Sequence, residues 1–187
     1  MRVIAGTAKG RTLVAPRGRG TRPATDRIRE SLFAMLDPLV EDARVLDLFA
    51  GAGTLGIEAL SRGAAHVRFV ERSREALTAL RRNIAATGFE KHSDVVAASV
   101  PSFLAGGAHG PYDLVFLDPP FADVGGLEES LRESHLHAAL AADALVVARV
   151  LKKHLPELPP TTRLVRRTDI GEEAILFLKY DGDAAGG

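Results

Sequence analysis

Val45-Leu-Asp-Leu-Phe-Ala-Gly-Ala-Gly-Thr-Leu-Gly-Ile-Glu-Ala-Leu60 carries the strongest structural signal in the chain. An apolar run ends in Asp47-Leu48-Phe49, a glycine-rich turn follows, and apolar residues then recur at Leu55, Ala59 and Leu60 with helical spacing. This order predicts strand, tight loop and helix, the opening unit of a nucleotide-binding α/β sheet. Gly51, Gly53 and Gly56 fit G-x-G-x-x-G, and Glu71 closes the next apolar run. Taken alone, those positions suggest a dinucleotide site.

Asp47 argues against that ligand. A carboxylate at the strand's end, four positions before Gly51, faces the same pocket and would repel a pyrophosphate. It favours a ligand that carries an ammonium. S-adenosylmethionine has both an ammonium and a sulfonium, and its ribose diol suits a second acid such as Glu71. The plainer alternative is that Asp47 only caps the helical turn after the loop.

The chain has 187 residues, enough for one domain with a full core, and 46% of them are hydrophobic. No apolar run reaches the length of a membrane span, and Met1-Arg2-Val3-Ile4 lacks the pattern of a secretory signal. The expected address is the cytoplasm, with no membrane partner. The absence of cysteine excludes disulfides, thiolate zinc sites and a cysteine nucleophile. The six histidines form no metal-binding spacing, so no metal is expected. A net charge of zero hides an asymmetry. Residues 1–36 carry eight basic side chains against Asp26 and Glu30, and seven of the eight lie between Lys9 and Arg29. A basic arm on an acidic body points to a polyanionic partner met by the arm.

The N-terminal stretch reads as a small hairpin, with Val3-Ile4-Ala5 and Thr12-Leu13-Val14 around a turn from Gly6 to Gly10. Pro16 to Pro23 reads as a loop, and Thr25 or Asp26 caps a helix whose apolar face is Ile28, Leu32, Leu36 and Leu39. From residue 43 strands and helices alternate. Strands are expected at 44–49, 66–71, 94–98, 112–118 and 144–150, with a closing antiparallel pair at 163–167 and 174–179. One helix is expected over 124–141. The alternation predicts a mostly parallel, seven-stranded α/β sheet with helices on both faces. The division is then a basic hairpin, loop and helix over 1–40, a catalytic domain over 41–180 and a frayed tail over 181–187.

A second motif follows the strand Leu114-Val115-Phe116-Leu117, namely Asp118-Pro119-Pro120-Phe121. In a doubly wound sheet, Asp118 should face the same crevice as Asp47. The two prolines make a rigid turn with carbonyls that no local donor claims. Such a turn suits methylation of an exocyclic amino group on a base. Asp118 and the Pro119 carbonyl can accept its two N–H bonds, Phe121 can stack on the ring, and Asp118 can take the proton. The plainer alternative is a proline-stiffened loop with Phe121 in the core. A nicotinamide dehydrogenase would leave Asp47 and Asp-Pro-Pro-Phe without a role, and an RNA-binding module without catalysis would gain nothing from Asp118.

Nearly the whole chain resembles the RsmD-type methyltransferases. The resemblance lies in Arg2-Val-Ile-Ala-Gly6 with Lys9-Gly-Arg-Thr-Leu13, Arg22-Pro-Ala-Thr-Asp-Arg-Ile-Arg-Glu-Ser-Leu-Phe33, Asp47 to Glu58 and Asp118 to Phe121. It implies a class I, Rossmann-like fold and S-adenosylmethionine-dependent methylation of a guanine N2 in small-subunit (16S) ribosomal RNA, free or in a subunit; a monomer is the expected state, though the sequence does not name it. Related enzymes acting on adenine N6 or protein glutamine are the alternative. The resemblance places Asp47, Phe49, Ala50, Gly51 and Gly53 at the methionine end of the cofactor. It places Glu71 on the ribose, Arg72 beside the adenine, and Asp118 to Phe121 around the flipped base. Thr25 to Arg29 would border the cofactor. Lys9, Arg11, Arg17, Arg19, Arg22, Thr25 and Arg29 would meet RNA. Many such enzymes carry an Asp after the third strand, whereas this chain reads Val96-Ala-Ala-Ser-Val100, so Ser99 is expected to substitute.

Overall fold

The computed structural model describes residues 1–16, 25–107, 109–120 and 124–180. Seven strands, β1 (Arg44–Leu48), β2 (His66–Glu71), β3 (Ser93–Ala97), β4 (Tyr112–Leu117), β5 (Leu140–Leu151), β6 (Thr162–Ile170) and β7 (Glu173–Tyr180), form one sheet in the order β3-β2-β1-β4-β5-β7-β6. The first five are parallel, and β7 runs antiparallel to both β5 and β6. The chain winds outward from β1 to β3 and then returns to β4 beside β1. That reversal opens a crevice at the C-terminal ends of β1 and β4, where ligands of open α/β sheets bind.

Helices α1 (Asp26–Val40), α2 (Thr54–Ser61) and α3 (Arg74–Thr87) cover one face; α4 (Val100–Ala105), α5 (Val124–Arg132) and α6 (Ser134–Ala138) cover the other. Alternate strand residues feed the two cores: Val45, Phe69 and Phe116 point to one, Leu46, Val70 and Leu117 to the other. Local chemistry sets the ends of these helices. Thr25 Oγ1 accepts from the Ile28 amide, Ser73 Oγ accepts from the Ala76 amide, and Gly88 ends α3 in the left-handed region. Among the described residues, no helix is long and apolar enough to cross a membrane.

The N-terminal hairpin closes through Val3 N to Arg11 O at 3.0 Å and Leu13 N to Met1 O at 2.9 Å. It is docked on α2. Glu58, with a fully buried side chain, accepts from the amides of Ile4 (2.8 Å) and Ala5 (3.0 Å), and Ser61 Oγ accepts from that of Ala8 (3.0 Å). A Cβ at Gly6 would overlap the Ser61 carbonyl, so only glycine allows this approach. At the hairpin's exit, Asn83 of α3 accepts from Val14 N and donates to Val14 O and Ala52 O. One amide side chain thus ties the extension to the glycine loop.

Two expectations need correction. The helix over 124–141 is two helices, because Glu133 takes an extended conformation, starts α6 and accepts from the His135 amide; residue 140 already belongs to β5. In α1 the inward face ends with Val40, fully buried, while Leu39 is 51% exposed. Successive steps of four from Ile28 reach Val40 and leave Leu39 on the outer side.

Candidate active site at the ends of β1, β2 and β4

The loop between β1 and α2 is wound tightly. Phe49 sits at φ 64°, the left-handed region, where a bulky side chain is strained. The strain is held by the Ala50 amide donating to Val70 O and the Gly53 amide donating to Ala50 O. The three glycines answer different needs. A Cβ at Gly53 would strike Leu80, and one at Gly56 would strike the Phe69 ring, so those two permit the helix to press against its neighbours. Among the described residues, none beyond Gly51 and its two chain neighbours has an atom within 4 Å of the ideal Cβ position at Gly51, whose φ is 56°. That direction is open space at the mouth of the crevice.

Asp47 is buried, and its Oδ2 accepts from the Gly56 amide at 3.0 Å. It therefore caps α2, as the plainer reading had it, without ceasing to lie beneath the glycine loop. Burial pushes its carboxyl up to about 8; the Gly56 bond opposes this, and the charges of Asp118 and Glu71 add to it. Three acids thus share one end of the sheet. Glu71 Oε2 accepts from the Gly51 amide at 2.8 Å, and its Oε1 accepts from the amides of Arg72 (2.8 Å) and Ser73 (2.7 Å). It braces the two loops and leaves Oε2 with capacity for another donor.

Asp118 follows β4 directly. The register pairs Leu48 with Leu117 and Leu117 with Ala148, so Asp118 follows opposite Phe49, at the start of the glycine loop and two positions beyond Asp47, on one side and beside Arg149 on the other. Arg149 grips it with both ends of its fork, Nε to Oδ1 at 2.7 Å and Nη2 to Oδ2 at 3.0 Å. Arg149 Nη1 also donates to Glu173 Oε2 at 2.8 Å. Burial raises the Asp118 carboxyl above its ordinary value, and Arg149 opposes that rise. Pro119 is buried and Pro120 half-buried. None of the described backbone hydrogen bonds outside helices and strands ends on the carbonyls of Asp118, Pro119 or Pro120.

The remaining expected residues divide. Ser99 caps α4 by accepting from Ser102 N, just past the β3 end that pairs with Glu71. Arg72, Thr25, Lys9 and Arg11 are exposed. Arg17, Arg19, Arg22 and Phe121 lie outside the described residues. Arg29 is corrected: its side chain is fully buried, donates to Arg2 O and to Asp26 Oδ1, and lies 3.6 Å from Glu58. A guanidinium in that position joins the hairpin to α2 and presents nothing to RNA. The sequence reading also passed over Arg149, Glu173, Glu58 and Asn83. The available signal was a charged residue inside an apolar run, Val146-Val-Ala-Arg-Val150 for Arg149 and Leu55-Gly-Ile-Glu-Ala-Leu60 for Glu58.

The protein family described as conserved hypothetical protein 95 matches residues 1–179. The Ribosomal RNA small subunit methyltransferase D of Escherichia coli K12 is 40% identical over 187 residues, which is 100% of this chain and 92% of that protein. The chain belongs to the RsmD family of methyltransferases. Two solved structures share its fold. That of yhhF from Escherichia coli is 36% identical with a TM-score of 0.84, covering 98% of this chain and 99% of its own. That of a hypothetical protein from Thermus thermophilus is 31% identical with a TM-score of 0.77, covering 95% and 98%. The sheet is the class I, Rossmann-like fold, and the family's methyl donor is S-adenosylmethionine. The crevice fits that donor. Asp47, Glu71 and Asp118 gather acidic groups at this end of the sheet, and an ammonium and a sulfonium would bring positive charge to them.

Proposed function

We propose that this protein methylates the exocyclic N2 of a guanine in small-subunit ribosomal RNA. The observation that carries the reading is the placement of Asp118, on a Pro-Pro turn at the end of β4, beside the glycine loop and Asp47 at the end of β1. When bound, S-adenosylmethionine supplies a methyl group on a sulfonium, which departs as a neutral thioether. Asp47, Gly51 and Gly53 would hold the amino-acid end, Glu71 Oε2 a ribose hydroxyl, and Ser99 and Arg72 the adenine side.

An exocyclic amino group is a poor nucleophile because its lone pair is delocalised into the ring. Asp118 and the Pro119 carbonyl would accept its two N–H bonds and turn the lone pair toward the methyl, so most of the catalysis is alignment. The Pro-Pro turn fixes the direction of that carbonyl. Once methylated, the nitrogen is cationic and strongly acidic, and it gives up its proton with Asp118 as the nearest acceptor. The base must leave its stack to reach this depth, at a few kcal/mol. Loop or single-stranded RNA lowers that requirement. Lys9 and Arg11, exposed on the docked hairpin, would take phosphates beside the crevice.

The test is labelled methyl transfer to unmodified small-subunit RNA and to reconstituted subunits, followed by nucleoside analysis. N2-methylguanosine is the expected product. Recovery of N6-methyladenosine, or no transfer to either RNA, would overturn the reading.

A further inference from the structure

We propose that Arg149 is the positioning residue of the acceptor site: it fixes the Asp118 carboxylate in one orientation and keeps it ionised, and Glu173 anchors Arg149 in turn. The inference rests on the proposed amino-methylation for its kinetic consequence, but its electrostatic half can be read without any RNA.

The geometry is that of a fork. Both carboxylate oxygens of Asp118 are taken by one guanidinium, at 2.7 and 3.0 Å, so the group cannot turn about its last torsion without breaking both bonds. Each oxygen keeps a free lone pair for a substrate N–H. Arg149 is itself fixed. Its side chain is 8% exposed, it stands in the middle of the sheet on β5, and its Nη1 is held by Glu173 from the first position of β7. A lysine could not reproduce this, because an ammonium is a point charge without a planar fork.

The charges around Asp118 make the second requirement plain. Glu173 from β7 faces Asp118, Asp47 from β1 feels the Asp118 charge, and Arg149 from β5 is the cation bonded to both Asp118 and Glu173. A buried carboxylate in that company takes up a proton if its cation is removed. A protonated Asp118 would offer an O–H where the substrate amino group, itself a donor, needs an acceptor. Arg149 therefore decides whether the site can receive an N–H at all, while touching neither substrate nor methyl donor.

The experiment compares the wild type with Arg149→Met and Arg149→Lys. The Asp118 carboxyl carbon is followed by carbon-detected NMR against pH, with Asp118→Asn assigning the signal. In R149M the Asp118 titration should move up by at least one pH unit; in R149K, which keeps the charge, it should move by less than half of one. On unmodified small-subunit RNA, R149M should lose about a hundredfold in kcat at pH 7, recover as pH rises, and bind S-adenosylmethionine within about threefold of the wild type. R149K should lose kcat about tenfold at every pH with KM for RNA unchanged. An Asp118 titration at the same pH in R149M and wild type would overturn the electrostatic role, and wild-type kcat in R149K would overturn the orienting role. If the NMR shift appears but the wild type transfers no methyl to RNA, the proposed substrate fails and Arg149's hold on Asp118 stands.

Discussion

Asp47→Asn separates two roles for one carboxylate, because it should strengthen the empty protein and weaken the loaded one. The substitution keeps an oxygen for the Gly56 amide, so the cap on α2 survives, and it removes only the charge. In the native state the Asp47 carboxyl is pushed up to about 8, chiefly by burial, against 3.8 for an ordinary aspartate. A folded-state value raised above the unfolded one means that the native protein binds the extra proton. Its contribution to stability is complete below pH 3.8 and drains away as pH climbs toward 8. Each pH unit in that window carries about 1.4 kcal/mol, so from 3.8 to neutrality the drain amounts to about 4 kcal/mol at most. The asparagine has no proton to lose. Thermal unfolding of the ligand-free proteins should therefore give similar Tm values at pH 4.5, with the variant pulling ahead as pH rises, by on the order of 10 °C at pH 7.5 for a chain of this size. Calorimetric titration should show the opposite order for S-adenosylmethionine, with affinity at least tenfold weaker in the variant. In the wild type alone, affinity should rise with pH and binding should release a fraction of a proton. Equal Tm differences at both pH values would mean that Asp47 acts only as a cap. Unchanged cofactor affinity would remove it from the ligand site.

Glu58→Ala should cost about 3–5 kcal/mol in denaturant unfolding, since it strands the buried Arg29, the Arg62 Nε bonded at 2.9 Å and the amides of Ile4 and Ala5. Gly51→Ala and Gly56→Ala should fail differently. The first places a methyl in open space at a left-handed residue, so it should lose about 1–2 kcal/mol but bind S-adenosylmethionine poorly; the second drives a methyl into Phe69 and Val67, so stability is the main loss in the same unfolding assay. Lys9→Ala and Arg11→Ala, both exposed, should leave cofactor binding unchanged. Each should lower the slope of log affinity for RNA against log salt by about 0.7–0.9. Removing the whole hairpin is a poorer test, because Val3 and Leu13 belong to the core and their loss would disturb the fold as well as the charge.

What could be read without coordinates was whatever depends on neighbours in sequence. β2 was expected and found at His66–Glu71, and Ser73 and Gly88 bound α3 because a serine hydroxyl and a glycine at positive φ act on their own turns. The crevice between β1 and β4 was legible too, since a parallel sheet with alternating helices has few ways to wind. Arg29 was misplaced for the opposite reason. Counted along the chain it belongs with six nearby basic residues. Counted around α1 it lies next to Ile28, on the side that meets α2, and its neighbour there is Glu58, far off in sequence.

Arg149 and Asp118 repeat that lesson closer to the chemistry. They are 31 positions apart, and only the register that sets Leu117 against Ala148 brings them within reach. A reading of Asp-Pro-Pro-Phe alone yields a carboxylate free to turn and to trade protons. The folded site offers one with both oxygens engaged by a planar cation. Each of these buried arginines answers an acid that would otherwise be intolerable where it stands, Arg149 through a two-bonded fork and Arg29 through an ion pair at 3.6 Å. Arg29 with Glu58 holds the basic hairpin against the helix that follows the glycine loop; Arg149 with Asp118 and Glu173 sets the direction in which the neighbouring acid can accept. The direction in which the crevice accepts is thus fixed by a charge buried in β5, whose one mark in the sequence is an arginine inside an apolar run, with no sign of the acid it meets.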